Sequence, residues 1–410
     1  MRTLTVDTSK DTVALDTLFA LQPRTANEPF LPRLKIFVCE EATEAFIPFI
    51  PSFLSRQTTW IDIRFTANTP MVMIASMITG LSTLCLDLEC ITLNRLPRDP
   101  VITEAVSKIL LACNQDTLQW FCVDSPLTEE AREVVYRLPK LSGMWVIIQG
   151  NTLLPPVALP NLTSIDIEYD DYLGWLQGFH GATLEKLEDI YLRSKSKQIG
   201  DFLGKFGSVA LTTSVSATLS TFNFNTSSSW NPNYRSLLPF TQLKDLVIGS
   251  SCGGGCSSRV DDNIIMDLVR AMPKLEILKL GDTPCETPTG VTVKGLIALA
   301  YGCCHLSRLR IHFQTASLVE ATASSETPYP SNEPMVQRQD CALTDLEVGE
   351  IPVQPSDALR VAMTLLQIFP RLSNIEYIGE GWHSVGETIE LSKQIGTFLH
   401  RTGEAHQPYL

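Results

Sequence analysis

The sequence is short of positive charge: 32 Lys and Arg stand against 45 Asp and Glu, a formal net charge of −13. No Lys/Arg-rich run offsets this locally, and an acidic surface repels phosphate backbones. No nucleic acid is therefore expected among its partners. Long apolar runs are missing too. No uninterrupted stretch approaches the roughly 20 residues a membrane span needs, and Met1-Arg2-Thr3-Leu4-Thr5-Val6-Asp7 lacks the apolar run of a signal peptide. No membrane partner follows, and the chain is expected in the cytoplasm, the nucleus or both. Charged residues make up only 19% and hydrophobic ones 44%. That is enough apolar material for a core and is the reverse of a disordered composition.

The residues that carry chemistry are sparse and scattered. There are six His (180, 305, 312, 383, 400 and 406), none spaced as a ligand pair. The eleven Cys run from Cys39 to Cys341. Cys85, Cys113, Cys122 and Cys303 fall within apolar patterns, which is reduced, core-type usage and not a disulfide framework. Cys252-Gly253-Gly254-Gly255-Cys256 could supply half of a zinc site, but structural zinc takes four ligands, usually in two clustered pairs. A solvated Gly loop is the expectation. Its glycines are not followed by Lys-Ser/Thr, so it is no phosphate loop. No Gly-x-Ser-x-Gly elbow is present. The pair Asp170-Asp171, flanked by Tyr169 and Tyr172, reads as a solvated turn. No nucleophile, base and orienter can be assembled. The expectation is a non-enzyme without cofactor or metal.

What the chain does have is a repeat. An apolar anchor is followed by apolar residues three and five positions on. It reads Met1-Leu4-Val6, Leu31-Leu34-Ile36, Leu81-Leu84-Leu86, Leu118-Phe121-Val123, Leu141-Met144-Val146, Leu162-Ile165-Ile167 and Leu187-Ile190-Leu192. It continues as Leu219-Phe222-Phe224, Leu243-Leu246-Ile248, Leu275-Leu278-Leu280, Leu306-Leu309-Ile311, Leu343-Leu346-Val348 and Leu372-Ile375-Tyr377, with a degenerate copy at Thr58-Ile61-Ile63. The last two positions are two apart, so both face one side of a short strand. Each unit leaves an apolar face that only its neighbours can cover, so units stack. Spacings of 21 to 37 residues fit an irregular leucine-rich repeat. The expected fold is α/β: one leucine-rich-repeat solenoid over 1–410, with about fourteen strand-helix units, curved like a horseshoe.

Helical spacing marks Asp99–Cys113, Thr128–Arg137, Asp261–Met272, Val291–Cys303, Asp357–Phe369 and a C-terminal capping helix at 387–401. Glu41–Leu54 is a weaker helix, because Pro48 and Pro51 should break or kink it. Pro leads into several strands, as in Leu138-Pro139-Lys140-Leu141 and Met272-Pro273-Lys274-Leu275. Two segments break the rhythm. Residues 250–259 read as a flexible Gly/Cys loop, and 315–340, rich in Ser, Thr, Pro and Glu, as an exposed disordered insertion.

In such a solenoid the strands line the concave side, and residues between and just after the apolar pair point into the groove. A bound protein is expected to meet Arg64, Trp145, Asp166, Glu168, Tyr191, Arg193, Asn223, Lys279, Arg310 and His312 there. The mixture of both charge signs with aromatics suits protein binding.

The stretch 291–311, running from Thr292-Val293-Lys294-Gly295-Leu296 through Gly302-Cys303 to Leu306 and Leu309, resembles the cysteine-containing leucine-rich repeat of F-box proteins. More widely, Arg2–Asp7, Ala271–Cys285 and Leu366–Leu372 resemble the repeat half of fungal F-box/leucine-rich-repeat proteins. The resemblance implies the substrate-recognition part of a cullin-based ubiquitin ligase, whose F-box would dock on the ligase adaptor. The alternative is a free-standing interaction scaffold. No F-box-like Leu-Pro-x-Glu-Ile pattern is found, and the chain opens inside a repeat strand. The expectation is an F-box lost or lying upstream, with the adaptor a partner only if it exists.

Overall fold

The computed structural model describes residues 2–8, 29–148, 159–169, 184–195, 201–211, 215–226, 232–250, 260–281, 290–323, 341–348, 353–377 and 380–404. The chain is an α/β repeat fold of short parallel strands alternating with helices. The contacts group into two compact units, divided near Arg193 with a short exchange around 194–218.

The first unit carries β1 (Thr3–Asp7), β2 (Ile36–Ala42), β3 (Trp60–Phe65), β4 (Cys90–Asn94), β5 (Trp120–Pro126), β6 (Gly143–Ile148), β7 (Ser164–Tyr169) and β8 (Asp189–Ser194). The second carries β9 (Thr221–Thr226), β10 (Asp245–Ser250), β11 (Ile277–Leu280), β12 (Arg308–Arg310), β13 (Asp345–Glu347) and β14 (Asn374–Glu376). Within each unit the strands lie side by side in sequence order. The register joins equivalent positions: Ile61 pairs Ile91, Met144 pairs Ile165, and Leu278 pairs Leu309. Like residues therefore form rows across the sheet.

The apolar pair of each central strand is buried in the core, as with Ile61, Ile63, Phe121, Val123, Leu246 and Leu278, all at 0% exposure. Above them lie helices with matching stripes. In α1 (Met71–Leu84) Ile74, Ile78 and Leu81 are buried; in α2 (Pro100–Ala112) they are Ile102, Val106, Ile109 and Leu110. Next come α3 (Glu129–Val135) and α4 (Phe202–Leu211). In α4, Phe202 stacks on Phe224 at 4.8 Å and Phe206 packs on Phe222 at 4.9 Å. Then follow α5 (Asp262–Ala271), α6 (Val293–Gly302), α7 (Thr315–Ala323), α8 (Ala358–Ile368) and α9 (Glu380–Glu404).

Two repeats sit in a different frame from the sequence reading. The second strand buries Phe37 and Cys39 behind Leu34, so Leu34 is the anchor and Leu31 precedes it. The fourth buries Ile91 and Leu93 behind Leu88, while Leu81 belongs to α1 and Leu86 is 39% exposed. In both places the sequence offers two overlapping frames, and the packing uses the later one. Leu31-Pro32-Arg33-Leu34 then matches the other Pro lead-ins, which are tight turns closed by the anchor N–H on the carbonyl three residues back. Examples are Leu34 to Leu31 (2.9 Å), Leu162 to Leu159 (3.1 Å) and Leu372 to Phe369 (3.0 Å). Pro takes the second turn position, where its fixed φ suits and no N–H is needed. The degenerate anchor Thr58 is fully buried, and its hydroxyl donates to the Leu34 carbonyl at 3.1 Å.

Cap residues set the helix starts. Side chains of Asp99, Thr128 and Asp261 accept from Val101, Ala131 and Ile264 N–H. The Thr-x-x-Gly signature has a structural cause. Asp262, in the preceding repeat, accepts from the Thr292 and Gly295 N–H groups (2.8 and 3.0 Å) and the Thr292 hydroxyl (2.7 Å). A side chain at 295 would put its Cβ 2.6 Å from that carboxylate. Thiols join neighbouring repeats in the same way. Cys113 lies 3.9 Å from the Cys85 carbonyl, Cys85 3.8 Å from that of Ser55, and Cys303 3.7 Å from that of Met272.

Several expected elements change. Glu41–Leu54 yields only a 3-10 turn at Ile47–Phe49 and one helical turn at Ile50–Phe53, each with Pro at its start. Thr315–Ala323, placed in the insertion, is helical, and 324–340 lie outside the described residues. The C-terminal helix begins at Glu380, and its first turns bury Trp382, Val385 and Ile389. The Gly/Cys loop from 251 to 259, Cys285 and Asp170-Asp171 are outside the described residues as well.

Candidate protein-interaction surface

Residues two, four and six positions after each anchor alternate with the buried pair and point to the sheet face away from the helices. In the first unit the four-position row pairs Asp62 with Thr92, Thr92 with Cys122, Cys122 with Trp145 and Trp145 with Asp166. The two-position row pairs Trp60 with Cys90, Cys90 with Trp120 and Trp120 with Gly143.

Trp60 and Trp120 are 42% and 37% exposed. The sequence reading missed both, because it counted only positions between and after the apolar pair. The period of two was the available signal. Trp120 leans across β6: a Cβ on Gly143 would fall 2.0 Å from its Cε3. Gly143 thus leaves the space in which the indole lies, one face against the sheet and the other toward solvent.

Trp145, Asp166 and Arg193 form one assembly. The Arg193 guanidinium sits 4.9 Å from the Trp145 ring centroid, a cation–π distance, and one of its nitrogens is 2.6 Å from Asp166 Oδ2. Burial pushes the Asp166 carboxyl up, against the pull of Arg193. Glu168, expected in the groove, is 9% exposed and pairs with Arg98. Asp124 accepts the backbone N–H groups of Arg95 and Leu96, holding Arg95 at φ 61°. Asp62 is half-buried. Burial raises its carboxyl, Arg64 opposes this, and it has no hydrogen-bond or ion-pair partner among the described residues. Arg64 is exposed and Tyr191 half-buried. On β3 to β8 the outward charges are Asp62, Asp124, Asp166, Glu168 and Asp189, with Arg64 and Arg193 opposing them.

The second unit is built differently. Lys279 and Arg310 both engage the Glu347 carboxylate, although Lys279 lies two strands away. Burial disfavours the charged form of Glu347, but the two cations outweigh it and hold the carboxyl below its usual range. Asn223 accepts from Asn225 at 2.6 Å. His312 is 5% exposed, lying beside Gly281, whose φ of +85° ends β11 and favours glycine. Of the ten residues expected to meet a bound protein, Arg64, Trp145, Asp166, Glu168, Tyr191 and Arg193 lie in the first unit and Asn223, Lys279, Arg310 and His312 in the second.

Among the described residues no cluster of His, Cys, Asp or Glu could hold a metal ion. No described helix is long and apolar enough to cross a membrane. A pocket of about 320 Å³ lies between the starts of α2 and α3, lined by Arg98, Asp99, Thr103 and Arg132 with Pro and Leu. It holds no nucleophile-base pair.

No family model matches the chain, and no curated protein matches it. Solved structures do. A chain of the crystal structure of the Rad7 and Elc1 complex in yeast aligns over 83% of this chain and 80% of its own length, at 13% identity and a TM-score of 0.34.

Proposed function

We propose that this chain is a non-catalytic protein-binding repeat domain that presents its helix-free sheet face to a partner. The observation that carries this is the exposure of Trp60 and Trp120 on that face. Large aromatics there bury much area on docking and lose little side-chain freedom. Arg64, Trp145, Tyr191 and Arg193 would extend the contact. In the second unit Asn223, Lys279 and Arg310 would form a polar contact region. We further propose that the partner is a substrate, and that the chain is the recognition part of an F-box-like subunit of a cullin-based ubiquitin ligase. The likeness of 291–311 to the cysteine-type repeat supports this finer reading.

The test uses the full chain with a photo-crosslinking residue at position 60 or at Val72, which is 73% exposed on α1. Protein adducts are expected from position 60 and not from 72. Equal yields, or none from 60, would overturn the sheet-face reading. Affinity purification of the full-length gene product from its own cells tests the ligase link. Recovery of an adaptor and a cullin is expected. Their absence beside adducts at 60 would leave a free-standing scaffold.

A further inference from the structure

We propose that the sheet face of the first unit takes an extended, arginine- or lysine-bearing segment of a partner protein, its cations stacking on Trp60 and Trp120 and pairing with Asp62. The inference rests on the protein-binding reading above and names the partner's chemistry.

Three observations converge on it. The first is an arrangement the molecule makes for itself. Trp145 offers a ring face, Asp166 a carboxylate, and Arg193 fills the place between them at 4.9 Å from the ring and 2.6 Å from the oxygen. On β3 a ring and a carboxylate again share the outward face, here along one strand instead of across two: Trp60 and, two residues on, Asp62. Arg64, two residues further on the same face, lowers the Asp62 carboxyl through its charge, but among the described residues no cation of this chain bonds to it. The hydrogen-bonding oxygens of Asp62 are left for a ligand's cation.

The second observation is the platform. With Gly143 beneath it, Trp120 lies along the sheet instead of standing from it. An indole with one covered face and one open face is the geometry that a guanidinium or ammonium group stacks on. Trp60 and Trp120 share a row, separated by β4 and the buried Cys90. Strands lie roughly 4.8 Å apart, so the two side chains rise from points about 10 Å apart. That spacing falls between the roughly 6.6 Å and 13 Å that separate same-face side chains two and four residues apart on an extended peptide, a difference long Arg or Lys side chains can take up.

The third is charge. Of the five outward carboxylates on β3 to β8, Glu168 is covered by Arg98 and Asp166 is served by Arg193; Asp62, Asp124 and Asp189 outnumber Arg64 on the same strands. Such a field attracts a basic segment and disfavours an acidic one.

The experiment measures binding of a fluorescein-labelled peptide, Gly-Arg-Gly-Arg-Gly-Arg-Gly, and its Gln-for-Arg counterpart to the full chain by anisotropy at physiological salt. The Arg peptide is expected to bind and the Gln peptide not. Trp60→Ala and Trp120→Ala leave the net charge unchanged and should each weaken binding roughly two- to five-fold. Gly143→Ala, which displaces the Trp120 ring, should resemble Trp120→Ala. Asp62→Asn should weaken binding and flatten its salt dependence. Circular dichroism and melting confirm that each variant is folded. Equal affinity in the Trp60→Ala/Trp120→Ala double variant would mean that attraction is through charge alone, and the proposal falls. Absence of Arg-peptide binding would also overturn it, and crosslinking at position 60 would show separately whether the protein-binding reading survives.

Discussion

Asp262→Ala should loosen the junction between the repeats that hold α5 and α6. The wild-type carboxylate accepts three hydrogen bonds, from the Thr292 N–H, the Thr292 hydroxyl and the Gly295 N–H. The two amides are the N-cap and third-position donors of α6, which have no partner four residues back, although the Gly295 N–H also reaches the Thr292 carbonyl at 3.1 Å. Loss of a helix cap costs about 1 kcal/mol, and hydrogen bonds to a charged acceptor are worth about 1.5–3 kcal/mol each. Asp262 is half-buried, so water recovers part of this. A net loss of roughly 2–3 kcal/mol follows. In a melt of a unit this size that is a fall of roughly 5–10 °C. Hydrogen exchange should show faster exchange at Thr292 and Gly295. Gly295→Ala supplies the cross-check. Its Cβ would meet Asp262 Oδ1 at 2.6 Å, so it destabilises the wild type and does so much less in the Asp262→Ala background. Strictly additive losses in the double variant, or unchanged exchange in Asp262→Ala, would refute the capping argument.

Further tests address other joints of the fold. Cys39, Cys85, Cys90, Cys113, Cys122 and Cys303 are buried, and burial pushes their thiols up to about 12. At pH 8 they should resist alkylation on the timescale at which the partly exposed Cys304 reacts, as read by peptide mass spectrometry; rapid labelling of Cys113 would contradict the packing. Glu347 has its carboxyl held low by Lys279 and Arg310. Its stabilising contribution is present above the usual glutamate range, roughly pH 4.3, and is lost as pH falls through its lower folded value. Glu347→Gln should lower stability at neutral pH and flatten the acid limb of the second unit's denaturation profile; parallel acid limbs would count against it. Gly302→Ala places a Cβ 1.9 Å from Val269 Cγ1 between α6 and α5, and should cost about 1–3 kcal/mol in urea denaturation.

Much of the fold was legible because one physical requirement recurs. Every strand must bury two alternate residues, so the Leu-x-x-apolar-x-apolar pattern marked most strands. It failed where two frames overlap. At Leu81 and Leu88 both frames satisfy the pattern, and only the continuation of α1 through Leu84 decides between them. At Leu31 and Leu34 the Pro lead-in carried the answer, since Pro32 belongs at the second position of the turn. The α4 helix was hidden because Phe202 and Phe206, with Gly204 between them and Gly207 after, do not spell a strong helical stripe, and contact with Phe222 and Phe224 is what orders it. Of the surface, the outward direction of a strand residue was readable, but its neighbours were not. Glu168 and His312 are outward by parity and still buried, because Arg98 covers the one and the end of the strand ladder encloses the other. Trp60 and Trp120 show the opposite error: parity placed them outward, and they were not counted.

The ladder of equivalent positions has a consequence for how the chain is made. Ile61 pairs with Ile91 and Leu278 with Leu309, so each strand pairing closes a loop of about one repeat. A strand leaving the ribosome finds its docking edge already finished on the preceding repeat. Each unit can then assemble vectorially during synthesis, in step with translation, without waiting for a distant segment.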